Sequence, residues 1–196
     1  MKQDIILAGV GGQGILSIAT VIGSAALEYG LHLKQAEVHG MSQRGGDVQS
    51  NLRLSSEPIH SDLIPRGAAD LIISLEPMEA LRYVPYLAPD GWVITNTVPF
   101  VNIPDYPPME SVMAALNQLP HLIAIDVDAI AKEVGSPRSA NMVLLGATAF
   151  LDFLGPEILR DGIRRIFGRK GEAVVEANIQ AFDAGFRFAK TNSERV

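Results

Sequence analysis

The sequence of 196 residues predicts an α/β fold, in which a mostly parallel sheet carries helices on both faces and a helical segment follows at the C-terminal end. Three observations predict this class. Short apolar runs, typical of strands covered on both faces, recur through the first two thirds of the chain. Helical patterns follow most of these runs, and such alternation is typical of parallel sheets. From residue 139 onward only helical patterns occur.

The first predicted strand is an apolar run that leads directly into a glycine-rich turn, and a largely apolar helix follows the turn. One later strand, 48–54, alternates apolar and polar residues. This alternation predicts one solvated face and an edge or antiparallel position. The predicted strands are 4–8, 31–38, 48–54, 70–74, 91–95 and 122–126.

Glycine and proline mark the ends of the predicted helices. Gly30 ends the first helix, as glycine often does at a helix C-terminus. Pro77 lies in the first turn of the second helix, where its missing N–H is tolerated. The predicted helices are 15–29, 76–83, 109–119, 127–134, 141–154, 157–167 and 172–189.

The composition fits a single globular domain of ordinary size. Hydrophobic residues make up 47% of the chain and charged residues 19%, which is enough apolar material for a packed core. We expect one domain over residues 1–190, made of a sheet part (1–135) and a helical layer (136–190). A frayed tail (191–196) is expected to follow.

The composition also excludes several functional classes. The net charge of −6 argues against a nucleic-acid binder, which needs a basic face. No apolar stretch is long enough to span a bilayer, and no signal peptide is apparent, so a cytoplasmic protein is expected. The chain contains no cysteine. This excludes disulfides, a thiol nucleophile and an iron–sulfur cluster held by cysteines of this chain.

No catalytic residue and no metal site are predicted within the chain. None of the four histidines has a partner at a metal-ligand spacing, and His39 is read as a loop histidine or a ligand contact. Glu76 is expected to stabilise a helix N-terminus, with a position facing the cleft as the alternative. The basic cluster within residues 160–170 is either a solvated helix face or a contact surface for a partner.

A G-x-G-x-x-G turn joins the first strand to the first helix. It consists of Gly9, Gly11 and Gly14, with Gly12 and Gln13 inside it. Such glycines permit a tight turn, and the helix N-terminus offers N–H groups and a positive dipole end to an anion. The turn therefore predicts a Rossmann-like arrangement with an anion-binding site. Alternatively, the glycines only allow the helix to pack closely on the sheet.

A dinucleotide site would also need an acid at the end of the second strand. Glu37 lies near the expected offset from the glycine turn, although its strand is more polar than a central strand of that fold. An NAD(P)-dependent dehydrogenase is therefore one alternative. A non-catalytic ligand-binding or assembly module is another.

A second glycine-rich loop follows the second strand and contains Ser42, Gln43, Arg44, Gly45 and Gly46. Ser42 lacks the G-x-S-x-G environment of a catalytic serine. Ligands of open α/β sheets bind beyond the carboxyl ends of the strands, so this loop is expected beside the first turn. Arg44 would supply a fixed cation for a phosphate or carboxylate, unless it forms a surface ion pair.

Together, the motifs resemble the gamma-type domain of 2-oxoacid:ferredoxin oxidoreductases. The resemblance rests on GVGGQG at 9–14 and EVHGMSQRGG at 37–46, and the second motif is most similar to beta subunits of indolepyruvate:ferredoxin oxidoreductases. Further matches are ADLIISLEP at 69–77, EALR at 79–82 and the Asn-Thr pair at 96–97. The resemblance covers nearly the whole chain.

The resemblance implies a small subunit of an enzyme that oxidatively decarboxylates arylpyruvates with coenzyme A. The products would be an acyl-CoA, CO2 and reduced ferredoxin. Thiamine diphosphate and iron–sulfur clusters would belong to a large alpha subunit, and this chain would hold neither firmly. Both glycine loops would face coenzyme A in the shared active-site region. A homodimer is the alternative assembly for the isolated chain.

Overall fold

The computed structural model describes residues 1–39 and 45–193, and six strands in this part of the chain form one sheet. Their order across the sheet is β2-β3-β1-β4-β5-β6. Only β3 runs antiparallel to its neighbours, which confirms a mostly parallel sheet. The strands are β1 (Lys2–Val10), β2 (His32–His39), β3 (Asp47–Ser55), β4 (Ala69–Ser74), β5 (Leu87–Asn96) and β6 (Leu122–Ile125).

Helices cover both faces of the sheet, as predicted. Two helices, α2 and α3, pack on one face, and the remaining helices pack on the other. None of the helices in the described part of the chain is both long and apolar enough to cross a membrane. The helices are α1 (Ile15–Glu28), α2 (Pro77–Tyr83), α3 (Met109–Leu116), α4 (Val127–Glu133), α5 (Ala140–Thr148), α6 (Pro156–Phe167) and α7 (Glu172–Ser193).

The central strand β1 supplies residues to both cores. Ile5 and Leu7 point into the larger core beneath α1 and α5, whereas Ile6 and Ala8 point into the smaller core beneath α2 and α3. All four side chains are fully buried. A strand covered on both faces needs apolar residues at consecutive positions, which explains its uninterrupted apolar run.

Strand β3 differs from its prediction in two respects. The prediction is an edge or an antiparallel position. The strand is antiparallel, but it lies inside the sheet between β2 and β1 and not at an edge. Its polar face is only partly solvated, because the connection over residues 56–68 packs against Asn51 and Arg53. Asn51 is buried and accepts a hydrogen bond from the Ile64 N–H, and Arg53 donates to two carbonyls of this connection. Backbone partners therefore replace water on this face.

Three predicted helix ends also differ from the structure. The helix expected over 109–119 ends at Leu116. The helix expected over 141–154 ends at Thr148, because a 3-10 turn follows and Asp152 adopts a left-handed conformation (φ 55°). The expected tail 191–196 begins too early, since α7 continues to Ser193. Thr191 and Asn192 donate side-chain hydrogen bonds to carbonyls one turn back, which extends the helix; residues 194–196 lie outside the described part.

Helices α5 and α7 cross in backbone contact. A Cβ atom placed on Gly146 of α5 would lie 1.9 Å from the Phe182 carbonyl oxygen, and one on Gly185 of α7 would lie 1.9 Å from the Val143 carbonyl oxygen. Neither oxygen can move without disturbing its helix. The crossing therefore requires glycine at both positions.

Replacing Gly185 by alanine is expected to lower the free energy of unfolding by about 3 kcal/mol, since the new methyl group forces the two helices apart. Gly168→Ala is the matched control. Gly168 has helical φ and ψ angles and nothing within 4 Å of its Cβ position, so this change should be neutral or slightly stabilising. Urea denaturation of the full chain measures both. Equal midpoints for the two variants would contradict the close crossing.

Candidate functional site

The candidate site lies at the edge of the sheet where β1, β4, β5 and β6 end and β3 begins. The structure brings the two glycine loops together there, as the sequence predicts. The Gly11 N–H donates a hydrogen bond to the Gly46 carbonyl at 2.9 Å. Ser42, Gln43 and Arg44 lie outside the described residues, so their expected roles stay predictions.

The side chain of Gln13 holds the first glycine turn in shape. Its Oε1 accepts a hydrogen bond from the Val10 N–H at 2.7 Å, and its Nε2 donates to the Leu75 carbonyl at 3.1 Å. The turn is thereby tied to the ends of both β1 and β4. The side chain of Gln13 therefore shapes the turn, and its expected contact with a ligand stays a prediction.

Gly14 is the N-cap of α1 and adopts a left-handed conformation (φ 86°). It offers no capping side chain, and the first turn of α1 contains no acidic residue. Within the described part of the chain, the N–H groups of Gly14, Ile15 and Leu16 have no hydrogen-bond acceptor. Free N–H groups at the positive end of a 14-residue helix can bind an anion.

Asn141 fixes this helix end from the other side. Its Nδ2 donates to the Gly14 carbonyl at 3.2 Å, and it would lie 2.8 Å from a Cβ atom on Gly14. Position 14 therefore requires glycine for two reasons: its backbone is left-handed, and a side chain would collide with Asn141. Sequence reasoning missed Asn141, which is remote from the turn in sequence and belongs to no motif singled out there.

A buried carboxylate holds the loop after β5 against the same edge. Glu76 is 1% exposed and accepts hydrogen bonds from the Glu79 N–H at 2.8 Å, the Phe100 N–H at 3.4 Å and the Tyr106 hydroxyl. The expectation that Glu76 stabilises a helix N-terminus is correct. The structure adds its role in anchoring the loop over residues 97–106.

Burial and the hydrogen bond to Glu76 raise the pKa of the Tyr106 phenol well above its usual value of 10. The phenol, which is neutral at pH 7 like any tyrosine, therefore remains a donor to Glu76 even at alkaline pH values where an ordinary tyrosine ionises. The loop reaches the second glycine loop as well, because Asn102 Nδ2 donates to the Gly45 carbonyl. Sequence reasoning identified neither Tyr106 nor Asn102.

Asn96 links three strand ends of the candidate site. Its Nδ2 donates to the Leu75 and Val98 carbonyls, and its Oδ1 accepts from the Val127 N–H at 3.3 Å. The residue is 3% exposed. Buried side chains that bond to backbone therefore hold the strand ends of the candidate site in place. The shape of the site is fixed without a ligand.

The strand order does not support a dinucleotide site. Glu37 lies on β2, and β3 separates β2 from β1. With strands about 4.8 Å apart, β2 lies roughly 10 Å from β1, whereas the dinucleotide-binding arrangement needs these strands adjacent. Glu37 also accepts a hydrogen bond from Gln35 Nε2 at 2.6 Å.

Most of the basic cluster is paired with acids. Arg160 contacts Glu157 and Asp183, Arg164 contacts Asp161, and Arg165 contacts Glu28. This pairing supports the interpretation as a solvated helix face. Among the described residues, no group of three or more histidines and acids could hold a metal ion.

The bond from Tyr106 to Glu76 can be tested by removing the hydroxyl. Tyr106→Phe is expected to lower the free energy of unfolding by about 1–2 kcal/mol, because it removes a hydrogen bond to a charged acceptor. Glu76→Gln should cost more, since an amide group replaces one oxygen of an acceptor that serves three donors.

Tyr29→Phe is the matched control for this test. Tyr29 is 65% exposed, and its hydroxyl has no hydrogen bond within the described part of the chain. Urea denaturation compares the three variants with the unmodified chain. If Tyr106→Phe were no less stable than Tyr29→Phe, Glu76 would not anchor the loop.

Comparison with known proteins identifies relatives over nearly the full length. The family model described as "Pyruvate ferredoxin/flavodoxin oxidoreductase" matches residues 4–188. The indolepyruvate oxidoreductase subunit IorB of Pyrococcus horikoshii is 38% identical, over 97% of this chain and 98% of that subunit. The subunit of the same name from Methanothermobacter thermautotrophicus is 34% identical, over 95% of this chain and 97% of that subunit.

Two solved structures share the fold. One is the 2-oxoglutarate:ferredoxin oxidoreductase of Magnetococcus marinus with 2-oxoglutarate, coenzyme A and succinyl-CoA bound (TM-score 0.76, 27% identity). The match covers 97% of this chain but only 31% of that one. The other is the gamma subunit of a keto/oxoacid ferredoxin oxidoreductase from Geobacter sulfurreducens (TM-score 0.70, 25% identity, 96% and 99% coverage). The chain therefore belongs to the pyruvate ferredoxin/flavodoxin oxidoreductase family.

Proposed function

We propose that the chain is the small subunit of an indolepyruvate (arylpyruvate):ferredoxin oxidoreductase. The observation that carries this proposal is the 38% identity to a subunit of that name, over 97% of this chain and 98% of the relative. In the proposed reaction, the bond between the carboxylate and the oxo carbon breaks and CO2 leaves. The oxo carbon forms a thioester with coenzyme A, a proton is released, and two electrons reduce ferredoxin.

The composition of the chain restricts its share of this reaction. It has no cysteine, so it cannot bind an iron–sulfur cluster through thiolates. We therefore place the clusters on a large alpha subunit, which would also pass electrons to ferredoxin. We place thiamine diphosphate there as well, as the family resemblance implies. The cytoplasmic location expected from the sequence stays a prediction.

The contribution that we assign to this chain is binding an anionic group of coenzyme A. The N–H groups of Gly14, Ile15 and Leu16 have no acceptor within the described part of the chain, and a phosphate oxygen at the N-terminus of α1 could accept from them. Arg44 would add a cation from the neighbouring loop, which meets the turn through the bond between Gly11 and Gly46. The solved structure of the relative from Magnetococcus marinus has coenzyme A bound, which supports this choice of ligand.

The surface that we assign to the large subunit is the loop over residues 97–106. Its apolar side chains are exposed at the candidate site and have no cover within the described part of the chain. They are Val98 (37% exposed), Phe100 (43%), Val101 (66%) and Ile103 (41%). Such a cluster beside a ligand site is typical of a protein interface. Glu76 and Asn102 hold the loop in place for that contact.

Reconstitution with the large subunit tests the proposal. Turnover of indolepyruvate with ferredoxin and coenzyme A is expected from the complex and from neither subunit alone. Arg44→Ala in the complex should raise the KM for coenzyme A about tenfold and leave the KM for ferredoxin unchanged, since a charge-assisted contact is lost.

Arg66→Ala provides the control for Arg44→Ala. Arg66 is an exposed arginine in the connection before β4, at the opposite edge of the sheet. If both variants bound coenzyme A with equal affinity, the assignment of Arg44 to the coenzyme A site would be wrong. An inactive complex would instead favour an assembly module, and saturable binding of a nicotinamide cofactor by the chain would favour the dehydrogenase.

A further inference from the structure

A cavity lies on the helical side of the molecule, next to the glycine turn but distinct from it. It has a volume of about 670 Å³, which is within the range of small-molecule sites. Its walls are the loop over residues 135–139, the first turns of α5 and α7, and Ser17 of α1. Asn141, which also binds the Gly14 carbonyl, separates the cavity from the turn.

Three helix N-termini converge on this cavity. Ser17 is the third residue of α1, Asn141 the second of α5, and Val174 the third of α7. These helices have 14, 9 and 22 residues, so each presents the positive end of its dipole. Neither α1 nor α5 has an acidic residue in its first turn, whereas α7 has Glu172 there, outside the cavity wall.

Three largely buried polar residues with unused hydrogen-bonding groups line the cavity. Ser136, Ser139 and Asn178 are only 6%, 5% and 6% exposed. Within the described part of the chain, neither serine hydroxyl has a hydrogen-bond partner, and Asn178 uses only its Nδ2, toward the Val174 carbonyl. No fully buried side-chain polar atom in the described part of the chain lacks a partner, so the unpaired serine hydroxyls reach solvent. Because both serines belong to the cavity wall, their hydroxyls are available to a ligand in it.

The charges around the cavity are positive in a chain that is acidic. Arg138 and Lys170 belong to its wall, which contains no aspartate or glutamate. Neither cation forms an ion pair among the residues that the structure describes, in contrast to Arg160, Arg164 and Arg165. Lys170 Nζ instead lies 5.3 Å from the centre of the Phe167 ring, at the apolar part of the wall.

We propose that this cavity binds a phosphate-bearing small molecule. The phosphate oxygens accept hydrogen bonds from Ser136 and Ser139 and are neutralised by Arg138 and Lys170. An organic substituent, where the ligand has one, lies against Phe167 and Val174. The proposal does not depend on the proposed function, because it uses neither glycine loop.

Two probes distinguish free phosphate from a phosphate ester as the ligand of this cavity. Inorganic phosphate tests the anion site alone, and phenyl phosphate adds an aromatic group for the apolar wall. We expect isothermal titration of the full chain to detect both, with phenyl phosphate the tighter ligand. Tighter inorganic phosphate would support the same site and identify free phosphate as its ligand.

Charge-removing variants locate the site. Arg138→Gln and Lys170→Gln should each weaken phenyl phosphate binding about five- to tenfold, because each loses a charge-assisted contact. Arg169→Gln is the matched control, since Arg169 is an exposed arginine next to Lys170 that does not line the cavity. An equal loss in all three variants would indicate only general charge attraction and would overturn the proposal.

Amide NMR shifts of the labelled full chain place the probe independently of charge. Perturbations should concentrate on residues 135–141 and 170–178. Perturbations confined to residues 11–16 would put the anion on the glycine turn and overturn the proposal, as would the absence of binding by either probe. Ser139→Ala, which keeps every charge, should weaken binding without changing the free energy of unfolding by more than a small amount.

Discussion

The backbone contact between α5 and α7 is the constraint on which the functional parts of the structure depend. Gly146 and Gly185 let the two helices touch, so α5 can lie buried between the sheet and α7. The buried position of α5 brings its first turn to the start of α1, where Asn141 binds the Gly14 carbonyl. Both the glycine turn and the neighbouring cavity therefore owe their geometry to one close helix crossing.

Rigidity is the common property of the candidate site. Gln13, Glu76 and Asn96 are polar residues whose side chains bond to backbone at the ends of several strands. None of them needs to move for the turn of α1 to present its N–H groups. The proposed role in anion binding favours such preorganisation, because a bound group must be held in one position to be presented for a reaction.

Local sequence patterns predicted most of the helices and strands, but not which strands lie next to each other in the sheet. The apolar run at 4–8 and the Glu-Pro pair at 76–77 identify a buried strand and a helix start, because burial on both faces and N-capping leave local signatures. The position of β3 inside the sheet was missed. Strand neighbours are set by pairing between distant segments, and the polar residues of β3 found backbone partners in a connection that carries no strand pattern.

The sequence by itself determined the fold class, the family resemblance and the exclusion of an iron–sulfur cluster held by cysteines of this chain, since motifs and the absence of cysteine are visible without coordinates. Only the tertiary structure decided which residues meet. Tyr106 reaches Glu76 across 30 positions, and Asn141 reaches Gly14 across 127. The cavity likewise joins Ser17, Arg138 and Lys170, which share no sequence window. Such contacts follow from burying helices against one sheet, and no local periodicity records them.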